Sequence, residues 1–207
     1  MTSVPLFMIA CILLIILPGP DTAVVTKNTL VSNRTAGTKT FLGVCAGLLI
    51  HTIACVAGLS ALIVKSAIAF TILKYIGAVY LCYLGVKTFL AMRVKKVDVA
   101  EVEVTPKGST YFNQGFITNV TNPKVAVFFL TFLPQFLKTD ANPFWAFLCM
   151  GAIYAVLTFI WFVIYVLLLD KIRSFMNRPA TQVVVESLTG IVLIGFGIKL
   201  ALEKGAS

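Results

Sequence analysis

Residues 144–169 read FWAFLCMGAIYAVLTFIWFVIYVLLL, 26 positions without one charged side chain. As an α-helix this stretch would rise about 39 Å at 1.5 Å per residue, more than the ~30 Å hydrocarbon core of a bilayer. A barrel strand would need only ~10 residues of alternating character. Irregular backbone cannot face lipid, because its N–H and C=O groups would be left without partners. The stretch therefore reads as a membrane-spanning helix, and it sets the reading of everything around it.

Working outward, five more apolar segments stand at 4–17, 40–64, 67–90, 116–137 and 183–202. His51 is the one ionisable residue in 40–64. Lys74 and Lys87 lie toward the ends of 67–90, where a long side chain can reach the interface. The segment 116–137 is interrupted by Asn122-Pro123-Lys124, and 183–202 carries Glu186 near its start and Lys199 near its end. The expected fold class is all-α: a polytopic membrane protein of six transmembrane helices.

Composition agrees. The 207 residues are 59% hydrophobic and only 12% charged, where a soluble domain holds roughly 45–50% and 25%. The net charge of +9 is not gathered into a basic face interleaved with aromatics, so no nucleic-acid partner is expected. It follows the bilayer instead. Ten Lys and Arg fall in 21–39, 91–115 and 170–182, read as loops, against five (Lys65, Lys74, Lys138, Lys199, Lys204) on the other side. By the positive-inside rule the three basic loops are cytoplasmic and both termini outside. The segment 4–17 has no preceding basic residue and no small-x-small site after it, so it reads as a retained helix, not a signal peptide. Five cysteines, all inside apolar runs and none in a CxxC pair, suggest packing residues, with neither a disulfide framework nor a zinc site. With one histidine and no phosphate-binding glycine loop, no metal, cofactor, enzymatic centre or ATP-driven pump is expected.

The two halves resemble each other. Pro18-Gly19-Pro20-Asp21-Thr22-Ala23-Val24-Val25 parallels Thr121-Asn122-Pro123-Lys124-Val125-Ala126-Val127-Phe128 at an offset of 103. Gly47 parallels Gly151, and Gly85-Val86-Lys87 parallels Gly197-Ile198-Lys199. One membrane domain, 1–207, is expected, with repeat 1 at about 1–92, a polar linker loop at 93–115 and repeat 2 at about 116–207. Three spans is an odd number, so such repeats have opposite topology, the plan of many secondary transporters.

The candidate site follows from the breaks. Pro18-Gly19-Pro20 cannot continue a helix, and Asp21 comes next. Asn119, Asn122, Pro123 and Lys124 form the matching break, so a carboxylate and an ammonium hold corresponding places. Ionisable groups at membrane depth are expensive, ~2.5–3.5 kcal/mol on insertion scales, and mark solute or ion paths. Asp21 would bind an α-ammonium or carry a proton; Lys124 and open helix N-termini would hold a carboxylate. The bland alternative makes Asp21 a surface cap and lets Lys124 snorkel. Gly43, Gly47 and His51 share one helix face. The glycines suit close helix packing, as do Gly77, Gly85 and Gly151. His51 is a proton relay or a buried histidine bonded to a backbone carbonyl.

These residues resemble the LysE/RhtB amino-acid exporters: Leu17-Pro18-Gly19-Pro20-Asp21, then Gly43-x3-Gly47-x3-His51, then the stretch 70–85 reading FTILKYIGAVYLCYLG, then Asn119-Val120-Thr121-Asn122-Pro123-Lys124 with Leu133-Pro134-Gln135-Phe136. The four elements occur in family order along almost the whole chain. The resemblance implies efflux of small amino acids or derivatives by proton exchange across a bacterial inner membrane. In the RhtB branch the substrates are homoserine, its lactone, threonine and leucine. Asp21, where the LysE branch has Gln, favours neutral substrates. The expected partners are a small-molecule substrate, protons and the lipid bilayer, with a homodimer because one copy has few helices to enclose a path. The alternatives are a membrane redox or maturation protein and a channel-like accessory subunit.

Overall fold

The computed structural model describes residues 4–59, 67–93, 110–137, 141–169 and 179–202, and among these there is no strand. The chain forms α1 (Val4–Ile16), α2 (Pro20–Val31), α3 (Arg34–Ala54), α4 (Ala67–Arg93), α5 (Tyr111–Val120), α6 (Pro123–Val127), α7 (Pro143–Leu167) and α8 (Pro179–Leu202). A π-helical turn, Cys55–Leu59, extends α3. A second, Phe128–Phe132, extends α6 and passes into a 3₁₀ turn, Leu133–Phe136.

Local chemistry explains the starts. The Asn33 side chain accepts from the Ala36 N–H at 2.9 Å and opens α3. Asn122 and Asn142 do the same for Lys124 and Phe144, both at 3.0 Å, and each is followed by proline at the first helical position. Proline fits there because that N–H would have no partner in the helix. Pro20 also starts α2, but its N-cap, Gly19, supplies no side chain, so the first N–H groups of α2 are left uncapped.

Long helices pair antiparallel. Phe41 of α3 packs on Phe159 and Phe162 of α7, with centroids 5.7 and 6.2 Å apart, while Thr52, further along α3, meets Gly151 near the start of α7. On α4, Gly85 abuts Gly190 and Ile194 of α8; on α8, Gly197 abuts Ala78 and Cys82 of α4. The partners correspond one to one: Gly85 with Gly197, Ala78 with Gly190 and Cys82 with Ile194 are each 112 positions apart. Such mutual contacts are what a two-fold relation between two helices generates.

Arg34–Gly58 and Pro143–Leu167 are each long and apolar enough to cross a membrane, and the pairs α1–α2 and α5–α6 would add two more spans if each bent pair is one. The described residues thus supply two to four candidate spans by composition. The helices α4 and α8, of 27 and 24 residues, are long enough by length alone.

The structure corrects the boundaries. Residues 21–39 are not a loop: α2 occupies most of them and α3 starts at Arg34. The hydropathy of PDTAVVTKNTLV is low because its polar residues face protein, not lipid; Asp21, Asn28 and Thr29 are buried. The linker expected at 93–115 is shortened at its end, since α5 begins at Tyr111. Its basic residues Lys95, Lys96 and Lys107, together with Lys65, Lys138, Lys171, Arg173, Arg178 and Lys204, lie outside the described residues.

Candidate functional site

Both helix breaks bend by nearly the same angle, 47° between α1 and α2 and 46° between α5 and the segment Pro123–Phe136. They meet inside the molecule. Asp21, 8% exposed, accepts through Oδ2 from Asn119 Nδ2 at 2.9 Å and from Asn122 Nδ2 at 3.0 Å. In return Lys124 reaches back to the first break. Its Nζ donates to the carbonyl of Leu14 at 3.2 Å and of Leu17 at 3.1 Å. Those carbonyls end α1 and have no helical partner of their own, and a cation suits the negative end of a helix. A Cβ added at Gly19 would sit 3.0 Å from Lys124 Nζ, so glycine makes room for the ammonium.

The second break is tied down in a parallel way. His51 Nε2 lies 3.1 Å from the carbonyl oxygen of Asn119, near the end of α5. Gly47, one turn before His51 on α3, packs directly on the Asn119 side chain. Gly43, a turn earlier still, packs on the α5 backbone at Phe112 and Phe116, and Gly77 packs on Thr131. Each break thus has its α-helical C-terminus held by a nitrogen from the other half: Lys124 for α1, His51 for α5.

Asp21 and Lys124 line one cavity with Leu14, Ile15, Thr22, Leu48, Asn119, Val125, Tyr154, Thr158 and Phe162. The space between these side chains is about 300 Å³ when the open mouth is counted with it. The acid and the amine make no direct ion pair within 4.0 Å. Two buried acceptors stay unused: Asp21 Oδ1 and Asn119 Oδ1 have no hydrogen-bond partner. A buried acceptor without a donor costs about 1–3 kcal/mol, so the arrangement holds unspent capacity for N–H groups.

Polar side chains continue from the cavity along α2. Thr26 bonds to Tyr165 at 2.7 Å. Asn28 donates to Thr40 and to Gln114, both at 2.9 Å. Ser32 meets Tyr111 at 2.9 Å. In the opposite direction, past Tyr154, lies a dry cluster of buried Phe128, Phe129, Phe132, Phe136, Phe147 and Phe7.

Comparison with known proteins now decides the family. The family model for the LysE type translocator matches residues 12–204. The chain belongs to the LysE type translocator family. It is therefore a membrane transporter and not an enzyme. The translocator is 37% identical over 198 residues to a Bacillus subtilis (strain 168) protein named "Uncharacterized membrane protein YrhP", the match covering 92% of this chain and 94% of that protein. It is 28% identical to a protein named "Leucine efflux protein" from Salmonella choleraesuis (strain SC-B67), over 94% of this chain and 92% of that one. A protein of the same name from Klebsiella pneumoniae is 26% identical over the same shares. No solved structure matches.

Of the residues singled out in the translocator's sequence, Asp21, Gly19, His51, Asn119, Asn122 and Lys124 come together at the two breaks, with Pro18, Pro20 and Pro123 forming the breaks themselves. Asp21 is not at a surface, and the Lys124 amine is turned inward onto carbonyls. Gly85 and Gly151 lie away from the site, in the α4–α8 and α3–α7 contacts. Sequence reasoning missed Tyr154, Thr158 and Thr22 as cavity walls. Thr158 and Tyr154 are four apart on an uncharged helix; their hydroxyls were the only available signal.

Proposed function

We propose that this chain exports neutral amino acids or close derivatives from a bacterial cytoplasm across the inner membrane, in exchange for protons. The observation that carries the proposal is the pairing of an acid and an amine from two separate helix breaks in one cavity without an ion pair between them. A zwitterion supplies what each lacks. Its ammonium would donate to Asp21 Oδ1, which has no hydrogen-bond partner of its own. Its carboxylate would take the third Nζ–H of Lys124, two of the three donors being spent on Leu14 and Leu17, and the uncapped N–H groups that start α2. Leu14, Ile15, Leu48, Val125 and Phe162 would surround the side chain. Among the described residues no further charge lines the cavity, which favours an uncharged, aliphatic side chain. The efflux proteins of Salmonella and Klebsiella, named for leucine, support this choice.

Proton exchange follows from sharing. Among the described residues one carboxylate, Asp21, lines the cavity, and it can hold either the substrate ammonium or a proton. Mutually exclusive occupancy of a single group is what couples two opposite fluxes. The halves 1–92 and 116–207, read as inverted repeats of three spans each, would rock about the two breaks. The equal bends, the antiparallel pairs and the reciprocal α4–α8 contacts support that symmetry.

The test is leucine efflux from preloaded vesicles or cells, with and without an uncoupler. Flux abolished by the uncoupler and by Asp21→Asn is the expected result. Flux indifferent to both refutes proton exchange at Asp21, and absence of flux for leucine, threonine and homoserine alike refutes the amino-acid assignment.

A further inference from the structure

The site has unequal surroundings. On the side of α2 and α5, where residues 32–33 and the start of α5 lie, the neighbours of the cavity include hydroxyls and amides, those of Thr22, Thr26, Asn28, Thr40 and Gln114, set among the apolar Val25, Phe41, Val44 and Phe162. On the side of α1 and the end of α6 they are rings. Tyr154 forms part of the cavity wall, and its ring lies 4.8 Å from Phe128 and 5.5 Å from Phe129. From there Phe128 reaches Phe132 at 5.0 Å, Phe132 reaches Phe136 at 4.9 Å, and Phe136 reaches Phe7 at 5.3 Å. The four phenylalanines are no more than 1% exposed. Among the described residues each ring of this column touches the next, so the column is closed as it stands.

The column is built on a segment of changing pitch. From Pro123 to Phe136 the chain runs five residues as α-helix, five as a π turn and four as a 3₁₀ turn. Its counterpart α2 is 12 residues of plain α-helix. A π turn holds one extra residue per turn, and such turns recur at functional sites. Drawing it back into α-helix would carry everything beyond it through about one residue's rotation, ~100°. Phe132 and Phe136 would swing with it, and the column would open.

Both π turns start one helical turn past a site residue. Phe128 follows Lys124 by four positions, and Cys55 follows His51 by four. They also hold each other: the Cys55 thiol donates to the carbonyl of Phe129 at 3.2 Å, and the Phe129 ring stands 5.6 Å from His51. A substrate carboxylate that takes the third Nζ–H of Lys124 would thus pull on the helix that carries the column.

We infer that the aromatic column of Phe7, Phe128, Phe132, Phe136 and Tyr154 is the closed exit gate of the transport path, hinged at the Phe128–Phe132 turn and latched by the Cys55–Phe129 contact. This rests on the transporter reading above. The side it closes is the one away from Lys27, Arg34 and Lys39 at the α2–α3 turn, which the positive-inside rule makes the outside.

Cys55 reports on the gate without any substitution. Intact cells expressing the native chain are treated from outside with a membrane-impermeant thiol reagent, with and without internal leucine, and labelled cysteines are read by mass spectrometry. Leucine export is measured in the same cells. Cys55 is expected to be protected at rest and to label at least about fivefold faster during export, when the open state becomes populated. Phe132→Ala is expected to expose Cys55 at rest as well. Export with Cys55 protected throughout, or labelled only by reagent admitted to the cytoplasm, overturns the gate. Absence of export of leucine, threonine and homoserine overturns the transporter reading and the gate with it.

Discussion

The two helix breaks bend alike, by 47° and 46°, yet they are built from different parts. The first has glycine as N-cap and leaves the start of α2 open; the second is capped by Asn122. The first presents a carboxylate to the other half, the second an ammonium. Beyond the first the chain continues as a regular, polar helix packed on α3 and α5. Beyond the second it continues as phenylalanines on a π turn. Equal geometry with unequal chemistry teaches that, in the proposed transport reading, matched breaks would supply the place of the site and their differences its polarity.

Exchanging the charges is the sharpest way to break the comparison. If position were all that mattered, Asp21→Lys with Lys124→Asp would restore function. It is not expected to, because an aspartate at 124 would face the carbonyls of Leu14 and Leu17 and a lysine at 21 would lose Asn119 and Asn122 as donors. Transport by the double variant, measured as leucine efflux, should stay at background, as in each single variant. Recovery would show the breaks to be interchangeable.

Removing one charge is next. Asp21→Asn keeps the shape but not the anion, and efflux should fall by at least about tenfold, the equivalent of 1.4 kcal/mol of lost binding. Lys124→Met should match it in transport and also leave two buried carbonyls unpaired. A loss of about 2–3 kcal/mol should lower the thermal unfolding temperature of the detergent-solubilised protein, which Asp21→Asn should lower less.

Asn122→Ala tests the cap that the first break lacks. It removes one hydrogen bond to Asp21 and the cap on Lys124 N–H, together about 1–2 kcal/mol, again read by thermal unfolding. Gly19→Ala should have the smallest effect. Its Cβ would sit 3.0 Å from Lys124 Nζ, at the end of a flexible side chain that can give way, so a reduction of only a few-fold in efflux is expected, with unchanged expression.

Much of this was legible beforehand. Spans 40–64 and 144–169 are continuous apolar runs, and lipid admits few other readings of them. Pro18-Gly19-Pro20 and Asn122-Pro123 announce breaks because proline removes a donor and clashes with the preceding turn. Their charged neighbours pointed to the candidate site proposed here, since charge inside a membrane needs a reason. What could not be read was α2. Hydropathy assumes that a helix faces lipid, whereas PDTAVVTKNTLV turns Asp21, Asn28 and Thr29 into protein and so scores as a loop. The π turns were equally hidden, because they sit in packing among α3, α4, α6 and α7 and follow no local motif.

By itself, then, the sequence determined an all-helical membrane protein with two matched breaks, each carrying a charge, because solvation by lipid and the stereochemistry of proline act on residues close in the chain. Only the tertiary structure decided that Asp21 meets Asn119 and Asn122 while Lys124 meets the end of α1. Those partners lie about a hundred residues apart, and hydrogen bonds of fixed length form only where packing brings the two breaks within reach.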